Sequence, residues 1–116
     1  MVSFPGNRAL IIDDHPLFIH GLRQYLENIL PGFEVSEAHS AEDALQQLDQ
    51  GLIPDLIFLD LQLPDLGGLQ FLQSLRERSL FVSVLIVSAQ QEPAWVYNAL
   101  QAGAAGYLSK TSPELE

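Results

Sequence analysis

Five polar side chains stand at the ends of short apolar runs, at widely separated points of the chain. They are Asp13, Asp14, Asp60, Ser88 and Lys110. The apolar runs predict strands, and in an open α/β sheet the carboxyl ends of parallel strands meet at one edge, where ligands bind. We therefore expect three carboxylates, a hydroxyl and the only lysine of the chain to share one site.

Clustered carboxylates repel one another, which limits what such a site can be. At about 4 Å and an effective dielectric near 20, each pair costs roughly 4 kcal/mol. Either the pKa values of the carboxyls rise or a cation joins them. Oxygen ligands favour a hard ion, and a site with few carboxylates suits Mg²⁺. The pattern predicts a magnesium site at Asp13, Asp14 and Asp60.

Magnesium beside a carboxylate, a hydroxyl and an ammonium group is suited to phosphoryl transfer. A carboxylate can act as the nucleophile and form an aspartyl-phosphate. Asp60 is the candidate, because it ends the apolar run "LIFLD" and precedes the turn-rich loop "LQLPDLGG". The metal and Lys110 would neutralise charge on the transferred group, and Ser88 would hydrogen-bond one of its oxygens.

The elements that position these side chains alternate between strands and helices. Strands are predicted at Ala9–Ile12, Phe33–Ala38, Leu56–Leu59, Val84–Val87 and Gly106–Lys110. Helices are predicted after Pro16, after Ser40 as an N-cap, across Leu69–Leu75 and after Pro93. Most of the strands are apolar on both faces, as in a parallel sheet covered by helices. The alternation predicts parallel pairing with right-handed crossovers.

Composition narrows the function classes. A chain of 116 residues is long enough for one core and too short for two. A net charge of −10 argues against direct binding of DNA or RNA. No apolar run reaches membrane-spanning length, and the absence of cysteine removes disulfides and thiolate ligands. The start of the chain does not resemble a signal peptide, so we expect a cytoplasmic protein without a membrane partner.

Four segments, in order, resemble the receiver domain of bacterial two-component response regulators. They are "LIIDDHPLF", "LIFLDLQLPDLGG", "VLIVSA" and "ALQAGAAGYLSK". "DDHPLF" and "AGAAGYLSK" are most similar to the branch whose output is a LuxR/NarL-type helix-turn-helix DNA-binding domain. The resemblance implies a flavodoxin-like, doubly wound, five-stranded parallel sheet of order 2-1-3-4-5.

The resemblance also implies a role for each residue around the predicted magnesium ion. Asp60 would accept a phosphoryl group from a histidine kinase or a small phosphodonor. Asp14, Asp60 and the backbone carbonyl of Gln62 would ligate Mg²⁺ directly, and Asp13 would act through water. The chain would therefore be a phospho-accepting signalling domain that catalyses only its own phosphorylation and dephosphorylation.

The conformational switch is implied by the same resemblance. Ser88 and Lys110 would contact the phosphoryl group, and movement of Ser88 would be coupled to Tyr107. Phosphorylation would then shift an existing equilibrium between inactive and active conformations, and so control an output.

Two other functions remain open. A pseudo-receiver would have the same fold and act through protein contacts without phosphorylation, but it would normally show a damaged pocket. A fragment of a magnesium-dependent phosphatase that uses an aspartyl-phosphate would typically carry a second aspartate two residues after the nucleophile. Gln62 occupies that position here.

The C-terminus is short for this fold. "SPELE" supplies barely one turn of a fifth helix. We expect residues 1–116 to be a receiver domain cut before that helix and before an output domain, which would make any contact with DNA. Open apolar sheet surface would favour self-association.

His15, His20 and His39 show no ligand spacing, and we expect surface or helix-cap positions for them.

Overall fold

The computed structural model describes residues 7–63, 65–80, 82–89 and 93–110, with Pro93, Trp95 and Val96 described by their backbone alone. Strands and helices alternate through these residues, as predicted. The strands are β1 (Arg8–Ile12), β2 (Glu34–Ala38), β3 (Leu56–Leu59), β4 (Ser83–Ser88) and β5 (Gly106–Ser109). The helices are α1 (Pro16–Ile29), α2 (Ala41–Asp49), α3 (Gly68–Glu77) and α4 (Pro93–Gln101).

The five strands form one sheet in the order β2-β1-β3-β4-β5, and every neighbouring pair is parallel. This confirms the doubly wound sheet of order 2-1-3-4-5. The direction in which strands are added reverses between β1 and β3, which makes their carboxyl ends the topological switch point. Residues 111–116, where a fifth helix would begin, lie outside the described residues.

Both faces of the sheet are covered by helices. Side chains of β1 alternate, so that Leu10 and Ile12 face α2, α3 and α4, while Ala9 and Ile11 face α1. Burying a large aliphatic side chain contributes about 1.5–3 kcal/mol relative to exposing it. The buried side chains of the central strands therefore stabilise the part of the sheet that positions the residues after these strands.

Local signals explain where several elements begin and end. Pro16 opens α1 at its first position, where the missing N–H costs nothing. Ser40 caps α2 as predicted, because its side chain accepts a hydrogen bond from the Asp43 N–H. The edge strand β2 begins at Glu34, one residue later than predicted, because the Phe33 N–H donates to the Leu30 carbonyl after α1. Within the described part of the chain, every helix is too short or too polar to cross a membrane.

Candidate functional site

Backbone hydrogen bonds of the sheet place Asp13 and Asp60 side by side. The Asp13 N–H donates to the Ala38 carbonyl at 3.0 Å, and the Asp60 N–H donates to the Ile12 carbonyl at 3.0 Å. Both residues thus continue the strand pairing although they lie just beyond β1 and β3. Their exposed fractions are only 1% and 2%. The switch point of the fold therefore holds two buried carboxylates.

Lys110, which follows the edge strand β5, contacts these carboxylates. Its backbone N–H donates to the Ser88 carbonyl at 3.0 Å, just beyond the pairing of β4 with β5. Its Nζ lies 3.2 Å from Asp60 Oδ2 and 2.8 Å from Asp13 Oδ2. The contact with Asp13 is an ion pair without the alignment of a hydrogen bond. One ammonium group thus offsets part of the repulsion between two acids.

Asp14 completes the acidic cluster on its solvent side. Its side chain is 36% exposed, in contrast to that of Asp13. One ligand atom from each of Asp13, Asp14, His15 and Asp60 lies within 4.8 Å of the others. Three carboxylates and one ammonium leave the cluster with negative charge, which is compatible with a divalent cation.

His15 lies beside the acidic cluster, a contact that was not predicted. It is the N-cap residue of α1 and its side chain is 58% exposed, as expected of a surface or helix-cap position. However, its Nδ1 lies 2.6 Å from Asp13 Oδ1 and 3.1 Å from Lys110 Nζ. The predicted surface or helix-cap position is confirmed, and the contacts with Asp13 and Lys110 add to it. The available signal was its place after an acidic pair, where the chain turns from strand to helix. His20 and His39 are exposed, as expected.

The electrostatic environment of Asp60 is distinctive. Burial raises the pKa of this carboxyl above its ordinary value, and the neighbouring Asp13 carboxylate adds to the rise. The Gln62 N–H, which donates to Asp60 Oδ1 at 3.0 Å, and the Lys110 ammonium group both oppose the shift. A carboxyl with a raised pKa at a sheet edge is a common feature of functional sites.

The predicted switch residues occupy the adjacent strands. Ser88 ends β4 and is fully buried, and it pairs in register with Ser109. Tyr107 is half-buried in β5, opposite Ile86, and packs against the core formed with α2, α3 and α4. Their coupling stays a prediction.

The loop after Asp60 carries the remaining predicted ligand. Gln62 is exposed, and its N–H closes a turn onto the Asp60 side chain. The Gly68 N–H, at the start of α3, donates to the Leu61 carbonyl at 3.2 Å. These bonds fix the base of the loop. The role of the Gln62 carbonyl as a metal ligand stays a prediction.

Comparison with known proteins identifies the family. Residues 9–116 match the response regulator receiver domain. The chain is 43% identical over 103 residues to the transcriptional activator protein ExaE of Pseudomonas putida, a match that covers 89% of this chain and 48% of that protein. It is 40% identical over 101 residues to the nitrate/nitrite response regulator protein NarL of Escherichia coli strain K12, covering 87% of this chain and 46% of that protein.

Solved structures agree with the sequence relatives. The signal receiver domain of the response regulator NarL from Mycobacterium tuberculosis superposes with a TM-score of 0.83 at 38% identity, covering 94% of this chain and 87% of that chain. A LuxR-family two-component response regulator from Aurantimonas sp. SI85-9A1 gives 0.84 at 33% identity, covering 96% and 79%. The chain belongs to the response regulator receiver domain family, whose members are signalling domains. It spans about half the length of the curated relatives it matches, 48% and 46% for the two named above.

Proposed function

We propose that the chain is a phosphoryl-accepting switch in which Asp60 takes a phosphoryl group from a sensor histidine kinase or a small phosphodonor. The observation that carries this proposal is the placement of a buried carboxylate at the switch point, within 3.2 Å of the Lys110 ammonium group and beside a second buried acid. This combination supplies a nucleophile, a cation and a negatively charged site for a metal.

The cofactor we propose is Mg²⁺. Asp14, Asp60 and the Gln62 carbonyl would hold the ion directly, and Asp13 would act through water. The donor set fits, because carboxylate oxygens predominate and a single ammonium group leaves their charge unbalanced. When bound, the ion would neutralise charge on the oxygens of the phosphoryl group.

The side chains of the chain itself would direct the transfer. An Asp60 oxygen would form the new bond to phosphorus, while the bond from phosphorus to the donor's leaving group breaks and the leaving group takes the electron pair. Lys110 would pair with one phosphoryl oxygen, and the Ser88 hydroxyl would donate to another. The Gln62 N–H already orients the Asp60 carboxylate through Oδ1.

The output we propose is transcription regulation. Relatives such as ExaE are named as transcriptional activators, and the chain covers about half of that protein's length, 48%. In our proposal a helix-turn-helix output domain of the full-length protein contacts DNA, and this acidic receiver controls it in the cytoplasm. Self-association of residues 1–116 is part of the same proposal. Sedimentation as a stable monomer would contradict the self-association.

The decisive experiment is intact mass spectrometry after incubation with acetyl phosphate and Mg²⁺. We expect one added phosphoryl group on the wild-type chain, and none on Asp60→Asn or in the presence of EDTA. A wild-type chain that stays unmodified would support the pseudo-receiver instead. Continuous release of phosphate from unrelated esters would support the phosphatase.

A further inference from the structure

An aspartate from another part of the chain caps helix α2. The first N–H groups of a helix have no partner within the helix. The Ala41 N–H donates to Asp65 Oδ1 at 3.0 Å, and the Glu42 N–H donates to Asp65 Oδ2 at 2.9 Å. The next N–H, that of Asp43, donates to the Ser40 hydroxyl at 3.0 Å. The first two N–H groups of α2 therefore donate to Asp65, and the third donates to Ser40.

Asp65 belongs to the loop that carries the proposed phosphoryl acceptor. It lies five residues after Asp60, between β3 and α3. The base of this loop is fixed by the Gln62 N–H on Asp60 and by the Gly68 N–H on the Leu61 carbonyl. The Asp65 side chain fixes the outer part of the same loop to α2.

The hydrogen bonds that Asp65 accepts favour its charged form. Burial alone would raise the pKa of Asp65, but the backbone N–H groups of Glu42, Ala41, Asp65 and Leu66 together outweigh it and hold the pKa below its ordinary value. The carboxylate is therefore charged at neutral pH, where it also interacts favourably with the positive end of the α2 dipole. Hydrogen bonds to a charged acceptor are stronger than those between neutral groups.

Helix α2 is in turn tied to the acidic cluster. It follows β2, whose last residue, Ala38, accepts the hydrogen bond from the Asp13 N–H. The Asp65 carboxylate thus links the loop that contains Gln62 to the part of the sheet that holds Asp13 and Asp14. This side chain adds a second connection between the two sides of the proposed metal site, beside the backbone bond from the Asp60 N–H to the Ile12 carbonyl.

We propose that Asp65 is a positioning residue, which holds the Gln62 carbonyl in place for Mg²⁺ by clamping the β3–α3 loop to the N-terminus of α2. The inference rests on the proposed function of the site. A ligand that is already ordered loses less conformational freedom when the ion binds, so the clamp increases metal affinity without touching the metal.

The test compares two variants that each remove capping from the same helix. Mg²⁺ affinity is measured by isothermal titration calorimetry on the whole chain, for wild type, Asp65→Ala and Ser40→Ala. We expect Asp65→Ala to weaken binding about tenfold, as loss of an outer-shell partner commonly does. Ser40→Ala removes a cap hydrogen bond without releasing the loop, so we expect its affinity to match that of wild type. Asp65→Asn retains an acceptor oxygen and should give an intermediate affinity, and it replaces the alanine variant if that variant fails to fold.

Hydrogen exchange of the metal-free chain gives a second readout. We expect faster exchange across residues 61–68 in Asp65→Ala and not in Ser40→Ala. Wild-type affinity or unchanged exchange in Asp65→Ala would overturn the positioning role of Asp65 and leave the proposed function standing. An equal loss of affinity in both alanine variants would have the same consequence. A wild-type chain that binds no Mg²⁺ would overturn the proposed metal site, and the positioning role with it.

Discussion

At Asp60, folding and the proposed chemistry impose opposite requirements. A carboxylate that is 2% exposed has lost most of its hydration, and the adjacent Asp13 carboxylate repels it. Lys110 and the Gln62 N–H compensate in part. The chain therefore keeps an unfavourable charge at the position where the proposed phosphoryl transfer would need a nucleophile.

Asp60→Asn should consequently stabilise the metal-free chain. The pKa of Asp60 is raised above 3.8 in the folded state, so the folded chain binds the proton more tightly than the unfolded chain does. Stability contributed by this group falls as pH rises through the window between 3.8 and the raised pKa. At pH 7 we expect urea denaturation to show a gain on the order of 1 kcal/mol, a typical size for one substitution. The gain should vanish below the window, and a less stable variant at pH 7 would contradict this account.

Residue types and order were enough to predict that Asp13, Asp60 and Lys110 meet. Asp13, Asp60 and Lys110 follow strands, and parallel strands bring their ends to one edge. The contacts of His15 and Asp65 were not predicted, for a different reason. Each depends on how a turn directs a side chain, and Asp65 binds N–H groups 23 and 24 residues earlier in the chain. No local pattern encodes such a contact.

Among the elements, the start of α3 controls how closely a helix approaches the loop after Asp60. A Cβ atom on Gly68 would lie 2.6 Å from Leu61 Cδ2 and 2.8 Å from Leu61 Cα. A Cβ atom on the preceding Gly67 would meet only Gln70 Oε1, at an ordinary 3.5 Å. The backbone of α3 can thus contact Leu61 because residue 68 has no side chain.

Gly68→Ala and Gly67→Ala therefore form a matched pair. Alanine favours a helix by about 1 kcal/mol over glycine, yet at residue 68 it would overlap backbone that cannot rotate away. We expect Gly68→Ala to lower the free energy of unfolding by about 1–3 kcal/mol, the usual cost of overpacking. Gly67 is the N-cap residue of α3, where glycine is also preferred to alanine, so Gly67→Ala should lower it by a smaller amount. Urea denaturation of the two variants distinguishes them, and equal stabilities would show that the close approach is unimportant.

The sequence predicted the elements better than their limits. Apolar runs marked β1, β3 and β4 because helices bury both faces of these strands. β5 was harder to delimit, since all four of its residues are only partly buried. Exact ends depend on hydrogen bonds between neighbouring segments. The Lys110 N–H, for example, still bonds to the Ser88 carbonyl one residue after β5 ends.

For the molecule as a whole, the distribution of charge matters more than its total. The chain carries a net charge of −10, and three of its carboxylates meet at the carboxyl edge of the sheet. Lys110 is the one lysine of the sequence, and its ammonium group is already shared between Asp13 and Asp60. A bound divalent ion would relieve the remaining repulsion, so metal binding and folding should be coupled.

Mg²⁺ should therefore raise the stability of the entire domain. An ion that binds only the folded state adds about 2.7 kcal/mol when its concentration is 100 times its dissociation constant. We expect thermal unfolding to shift upward with added MgCl₂, and much less with NaCl at equal ionic strength, which only screens charge. Asp14→Asn should remove the magnesium-dependent increment and leave metal-free stability almost unchanged, because this side chain is partly exposed at 36%. Equal stabilisation by the two salts, or an undiminished increment in the variant, would show that the cluster does not bind the ion.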